Sequence, residues 1–325
     1  MTAHVSVLAL GGTIASRPSG SALVRPELTA DDLAVLVGDA KGVPPVRAES
    51  LLQAASGDLD FAAIARVAER VRAVVAEGAQ GVVITQGTDT LEETAFQLDL
   101  MLELDQPVVV TGALRNPSLP GADGAANLIA AIRVAAAPAA AGLGVVVVMN
   151  DEVHAARLVR KTHSHKPSAF ASPAAGPLGW IAEGRVRIVL RPAERAPALS
   201  WRGAAPDVAL VSMAFATPAA VFDAFLARPP AGMVIAALGA GHVPAWTVEA
   251  IGALAAKPPV VLASRAGAGE VFAGTYGYPG SESDLIARGC IRAGYLDPLK
   301  ARVLLTLLLG AGADKGRIAE AFARF

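Results

Sequence analysis

Four short runs in the first half of the chain, Val5–Leu10, Gly81–Thr85, Pro107–Thr111 and Gly144–Met149, are rich in valine and carry no charge. A strand with no polar face has to be covered on both sides, and that is the position of a strand in a parallel sheet sandwiched between helices. The intervening segments supply helices with readable ends. Asp60 to Glu77 places Phe61, Ile64, Val67, Val71 and Val74 on one face, and Gly78 follows as the stop. Thr90 and Glu93 have the spacing of a capping box, which opens a helix running towards Leu104. Strands that alternate with helices predict an α/β fold with a mostly parallel sheet.

The alternation lapses after Leu190. Arg191 to Asp207 holds three prolines, mixed charges and no sustained period, as a linker does. A second series follows, with strands at Val208–Met213, Met233–Leu238 and Val260–Ser264. An apolar helix from Pro298 to about Leu309 and an amphipathic one at Ile318–Phe325 close the chain. The expected organisation is a larger N-terminal domain over residues 1–190, a linker over 191–207 and a smaller C-terminal domain over 208–325. Each domain is expected to be a mostly parallel sheet flanked by helices. A length of 325 residues already favours two cores over one.

Composition narrows the partners. Hydrophobic residues at 53% and charged ones at 18% describe a globular chain. A formal net charge of −1 provides no electrostatic pull on nucleic acid or anionic lipid. The single cysteine, Cys290, closes no intrachain disulfide, which suits a reducing compartment. His163 and His165 read as a hydrogen-bonding loop beside a lysine, so no metal is expected. Val5–Leu10 lacks the basic leader and cleavage site of a signal peptide. The apolar stretch around Val134 to Met149 is broken by Pro138, Gly142 and Gly144, short of the roughly 20 residues a membrane span requires. A soluble, cytoplasmic protein without a membrane partner is expected.

In an open α/β sheet, ligands sit beyond the carboxyl ends of the strands, and three segments there concentrate hydroxyls and glycine. Gly11-Gly12-Thr13-Ile14-Ala15 follows the first strand directly. Its glycines let the backbone approach a ligand, and Thr13 offers a hydroxyl. A glycine turn with a capping threonine explains the same residues, and the spacing is not a dinucleotide fingerprint. Thr85-Gln86-Gly87-Thr88-Asp89-Thr90 holds more hydroxyls than one turn requires. With Thr90 assigned to the cap, Thr88 and Asp89 remain for a ligand, and the helix N-terminus behind them can stabilise an oxyanion. The third segment is Lys161-Thr162 with His163 to Lys166. Lys161 acts as a general base only if it is desolvated and oriented by a carboxylate. A solvated lysine is the plainer reading of these residues alone.

Together the segments carry a resemblance. Gly11–Ala15 resembles the G-G-T-I-A signature of the bacterial-type L-asparaginase/glutaminase family. Gln86–Thr94 (QGTDTLEET) resembles its second signature, H-G-T-D-T-x-E-E-T, with Gln86 at the usual histidine. Pro107–Arg115, Ala122–Asn127, Arg160–Thr162, Gly176–Trp180 and Lys300–Leu305 continue it in order along essentially the whole chain. The resemblance implies hydrolysis of L-asparagine to L-aspartate and ammonia, without cofactor, through an acyl-enzyme on Thr13. It implies a second cluster in which Lys161 deprotonates or hydrogen-bonds Thr88 while Asp89 orients the lysine. Asp89 would also hold the substrate α-ammonium and Ser56 its α-carboxylate. The N–H of Thr88 and a group near Ala113 would form the oxyanion hole. Glu282 is expected to reach the α-ammonium from a neighbouring subunit, and His242 stands where the family has an asparagine. A homotetramer, a dimer of dimers, is the assembly this implies.

The chain also departs from the family pattern. No aromatic residue lies between Ala15 and Asp32, where the family carries a tyrosine near its nucleophile. Tyr276 or Tyr278 of a neighbouring subunit is one substitute; the other use for these rings is to pack a glycine-rich turn. Gly57 follows Ser56 where a glutamine is usual. A glutaminase, a broader amidohydrolase and a catalytically silent amino-acid sensor are the alternatives compatible with these residues.

Overall fold

The computed structural model describes residues 3–12, 16–18, 24–26, 40, 42–193, 195 and 198–325. The chain divides into two compact units, Met1–Ala198 and Leu199–Phe325. Unit 1 contains β1 (His4–Ala9), β2 (Ser16–Pro18), β3 (Val24–Pro26), β4 (Val46–Ser50), β5 (Ala79–Thr85) and β6 (Val108–Thr111). It continues with β7 (Val145–Met149), β8 (Glu152–Ala155), β9 (Arg160–Lys161), β10 (Phe170–Ala171), β11 (Gly179–Ala182) and β12 (Arg185–Ile188). Eight of these form one sheet in the order β12-β11-β8-β7-β6-β5-β1-β4. Neighbours from β4 to β7 run parallel. The other pairs, from β7 to β12, are antiparallel.

The uncharged runs form the middle of this sheet. Val82, Val83, Ile84, Val109, Val110, Val147 and Val148 have no accessible surface. Helices α1 (Phe61–Ala76), α2 (Leu91–Met101) and α3 (Gly124–Ala136) pack against it. Helix α1 begins where Asp60 accepts the N–H of Ala63 at 2.6 Å and buries Ile64, Val67, Val71 and Val74. Helix α2 differs from expectation at both ends. It stops at Met101, because Leu102 is already extended. The Thr90 side chain does not cap it: a 3-10 turn at Thr88–Thr90 leads straight into the helix, and the Thr90 hydroxyl donates instead to the carbonyl of Ser56 at 2.8 Å.

From β1 the chain passes to β4 on one side of it and then to β5 on the other. The connections therefore diverge at the carboxyl ends of β1 and β5, and the crevice between such ends is where open α/β sheets bind ligands. The beginning of the segment expected as a linker is fastened to unit 1. Arg191 donates to the carbonyls of Ala139 and Ala141, and Arg195 to that of Leu102.

Unit 2 is a four-stranded parallel sheet of β13 (Val208–Ser212), β14 (Gly232–Ala237), β15 (Val260–Ser264) and β16 (Ile291–Arg292), in that order. Its helices are α4 (Asp223–Ala227), α5 (Val248–Ala255), α6 (Glu282–Ala287), α7 (Pro298–Gly310) and α8 (Lys315–Phe322). Met233, Ile235, Ile251, Val260 and Leu262 make up its core with Phe222. Asp297 caps α7 by accepting the N–H groups of Leu299 at 2.9 Å and Lys300 at 3.1 Å. Helix α8 begins at Lys315, ahead of the expected Ile318, because Asp314 accepts the N–H of Arg317 at 2.9 Å.

Candidate active site

The carboxyl ends of β1, β5 and β6 surround a cleft of about 280 Å³ that is lined by Gly12, Ser56, Thr88, Asp89, Ala113 and Lys161 among others. A volume at the small end of ligand sites suits an amino acid better than a nucleotide. Gly12 brings the first two strand ends together. Its φ is +89°, and a Cβ there would lie 2.0 Å from the backbone nitrogen of Gly87. Only a glycine lets these two loops touch.

Past β4 the chain follows the end of β1. Leu51 and Leu52 donate to the carbonyl of Ala9, and Ala54 donates to that of Leu10. This delivers Ser56, which is buried, to the turn after β5. The Ser56 Oγ accepts the N–H of Asp89 at 3.3 Å. A hydroxyl that is accepting still has its own proton to donate, so Ser56 retains a donor for an anionic group.

Thr88, Asp89 and Lys161 meet at the mouth of the cleft. The Lys161 Nζ donates to Thr88 Oγ1 at 2.9 Å and to Asp89 Oδ1 at 2.6 Å. The lysine side chain is 14% exposed and that of Asp89 is 79% exposed. An ion pair with one member so open adds little stability. What it does is fix an amine against a hydroxyl, with part of the carboxylate still facing outward. Lys161 comes from β9, whose only strand partner among the described residues is β10.

Ala113 lies past the end of β6, in a turn clamped by two residues to which the sequence reading gave no role. The Asp123 carboxylate accepts the N–H groups of Leu114 at 3.1 Å and Arg115 at 2.9 Å. The Asn127 amide donates to the carbonyl of Gly112 at 3.0 Å. Asp123 immediately precedes α3, and an acid there reads as a cap; the signal is present but points to the wrong use. Glu92 and the cleft-lining Ser164 were missed as well.

Thr13 lies outside the described residues. Glu282 and His242 lie in unit 2 as a pair, Oε2 to Nε2 at 3.2 Å. The Glu282 side chain has no accessible surface in the single chain. Its Oε1 already accepts the N–H groups of Thr275 at 2.7 Å and Tyr276 at 2.8 Å. The carboxylate thereby holds its own loop in place. Burial alone would push its pKa up, but the N–H groups of Tyr276, Thr275 and Glu282, with His242, outweigh that and hold it below the ordinary value. Tyr276 and Tyr278 pack edge-on to the His242 ring, with centroids at 5.1 and 5.6 Å, and both tyrosines are exposed.

His163 accepts the N–H groups of His165 and Lys166 through Nδ1 in a tight polar turn. Among the described residues, no group of three or more His, Cys, Asp or Glu side chains is placed to hold a metal ion. Among them, too, no helix is long and apolar enough to cross a membrane.

The fold and the cleft define a two-unit, mostly parallel α/β protein whose first unit carries a threonine held by a lysine at a strand end. A family model described as "Asparaginase, N-terminal" matches residues 4–194, and one described as "Glutaminase/Asparaginase C-terminal domain" matches residues 207–322. The chain belongs to the asparaginase family. A probable L-asparaginase of Deinococcus radiodurans is 36% identical, with 98% of this chain and 97% of that one covered. L-asparaginase 2 of Escherichia coli is 33% identical, with 99% and 93% covered. A glutaminase-asparaginase of Pseudomonas fluorescens is 31% identical, with 98% and 90% covered. The crystal structure of a probable cytoplasmic L-asparaginase from Campylobacter jejuni superposes with a TM-score of 0.89 at 31% identity, covering 99% of this chain and all of that one.

Proposed function

We propose that this protein hydrolyses the side-chain amide of L-asparagine to L-aspartate and ammonia, and that unit 1 carries the chemistry. Thr13 attacks the amide carbon, ammonia leaves, and water then attacks the resulting ester to release aspartate and restore the hydroxyl. Thr88, Lys161 and Asp89 form the second cluster. Lys161, once neutral, takes a proton from the Thr88 hydroxyl, and Asp89 orients the amine. Ser56 donates to the substrate α-carboxylate, Asp89 faces its α-ammonium, and the N–H of Thr88 with the turn at Ala113 receives the oxyanion.

The observation that carries this reading is the double contact of Lys161 Nζ with Thr88 Oγ1 and Asp89 Oδ1 beyond β5. Family membership, with relatives named as L-asparaginases, supports the choice of substrate. In the same reading residues 191–207 link two domains, 1–190 and 208–325. The protein acts in the cytoplasm as a homotetramer, and the second domain presents Glu282, which reaches the substrate α-ammonium, and His242 to the neighbouring subunit's cleft.

Ammonia release from L-asparagine tests the activity directly. Thr13→Ala and Thr88→Ala are each expected to remove nearly all of it with the fold intact. Wild-type kcat in Thr88→Ala would overturn the assignment. Because one relative is named a glutaminase-asparaginase, the assay is run with L-glutamine in parallel. Release from glutamine at a higher kcat/KM would reassign the substrate, and binding without release would reassign the protein as a sensor.

A further inference from the structure

Glu92 is a buried carboxylate that the chemistry above does not use; only 4% of its surface is exposed. It sits in the first turn of α2, where the helix end favours negative charge. That preference does not explain its burial, because Glu93 next to it supplies a charge to the same turn while staying half-exposed. Taking a carboxylate out of water is costly unless it has partners to satisfy. One of its partners lies on another element: Glu92 Oε1 accepts the backbone N–H of Lys161 at 3.2 Å.

That bond closes a ring through the cleft. Lys161 is held by its main chain to Glu92 and by its ammonium to Thr88 and Asp89. All three holders come from one short stretch of chain, the turn after β5 and the first turn of α2. A lysine has a long flexible stem, so its amine is placed only as well as its Cα is placed. Strand β9 by itself is a weak mount. It pairs with β10 through Arg160 and Lys161 alone, outside the eight-stranded sheet. The far side of this ribbon is fastened separately, by Ser172 Oγ to the buried His154 Nδ1 at 3.0 Å.

We propose that Glu92 is the positioning residue of Lys161, holding the lysine main chain where its amine meets the Thr88 hydroxyl. The inference rests on the reading of Lys161 given above. Glu92 touches neither substrate nor reacting atoms; it sets the distance between the amine and the hydroxyl.

Steady-state kinetics with L-asparagine test it, using Glu92→Ala, Glu92→Asp, Glu92→Gln and, as control, Lys161→Met. A displacement of about an ångström costs on the order of a hundredfold in rate. Glu92→Ala and Glu92→Asp, whose shorter carboxylate falls short of the N–H, should therefore lose about 10- to 100-fold in kcat. KM should stay within about threefold, since Ser56 and Asp89 are untouched. Glu92→Gln keeps an acceptor at the same reach and should recover most of the loss. Should Glu92→Ala fail to fold, the comparison of Glu92→Asp with Glu92→Gln carries the test. The proposal is overturned if the Asp variant keeps wild-type kcat, or if Gln recovers nothing and kcat falls in step with Tm. The control separates the two levels of argument. If Lys161→Met keeps wild-type kcat, the reading of the lysine fails whatever Glu92 does. If Lys161→Met is inactive and Glu92→Asp is not impaired, only the role of Glu92 falls.

Discussion

Glu282 and His242 face each other at 3.2 Å, and the carboxylate, not the imidazole, is the enclosed member of the pair. The pair anchors a loop, because the same carboxylate takes the N–H groups of Thr275 and Tyr276. Its folded pKa lies below its ordinary value of 4.5. A depressed carboxylate contributes its stability fully above the unfolded value and loses it as pH falls through the folded one. Glu282→Gln should therefore melt at a lower temperature than wild type at neutral pH. The gap should shrink in acid, as the pH falls through the depressed folded value and the wild-type group takes up its proton as well. Thermal melts at neutral and acid pH check this, and a gap that widens in acid would contradict the sign.

The cluster of Thr88 and Lys161 predicts strong non-additivity. Thr88→Ala and Lys161→Met should each lower kcat by about a thousandfold. Groups that act as a unit cannot be lost twice, so the double variant should be little worse than either single one. Thr88→Ser keeps the hydroxyl and should retain far more activity than Thr88→Ala. A double-mutant cycle on kcat measures all of this; strictly additive losses would separate the two residues.

In unit 2, the Lys300 side chain is fully buried and its Nζ lies 2.8 Å from Asp297 Oδ2. Removing either member of a buried pair strands the other charge, and the cost depends on what partners the stranded group keeps. Asp297→Ala should cost about 3–5 kcal/mol, since it removes both the ion partner and the cap of α7. Lys300→Met should cost less, since the Asp297 carboxylate it leaves behind still accepts the N–H groups of residues 299 and 300. Urea unfolding of the two variants decides the order, and the reverse order would refute the argument.

Cys290 is a buried thiol whose pKa is pushed up to about 12, chiefly by burial. The thiolate is the reactive form, and at this pKa it is scarce near neutrality. A thiol reagent at about pH 8 should find no reactive group in the folded protein and one after denaturation. A fast stoichiometric reaction in native buffer would contradict the burial.

Much of the fold is legible because the middle of the sheet is buried on both faces, so β5, β6, β7 and β14 announce themselves as uncharged runs. Strand β4 does not. It is an edge strand with Arg47 and Glu49 along it, and its pattern of exposure resembles a loop. The antiparallel β8, β11 and β12 are short, and Glu152, Arg185 and Arg187 obscure them in the same way. The capping box at Thr90 failed for a different reason: its hydroxyl is claimed by Ser56, far off in sequence. The same distance limit governs the cleft. Hydroxyls at a strand end can be marked locally, but the pairing of Lys161 with Thr88 spans 73 positions. From its own neighbours Lys161 reads as a solvated lysine, and only the family resemblance placed it beside Thr88. Glu92 and Asp123 were hidden because acids around helix starts look like ordinary caps until their partners are seen.

The ribbon of β9 and β10 carries Lys161 at its base, while Ser164, in the turn between the strands, lines the cleft. One wall of the cleft therefore belongs to a small appendage, while the rest is formed by the strand ends of the large sheet. Residues in this turn can be exchanged or inserted without disturbing one hydrogen bond of the large sheet. A lineage under pressure to accept a longer amide can enlarge this wall in small steps while the amine at its base stays in place.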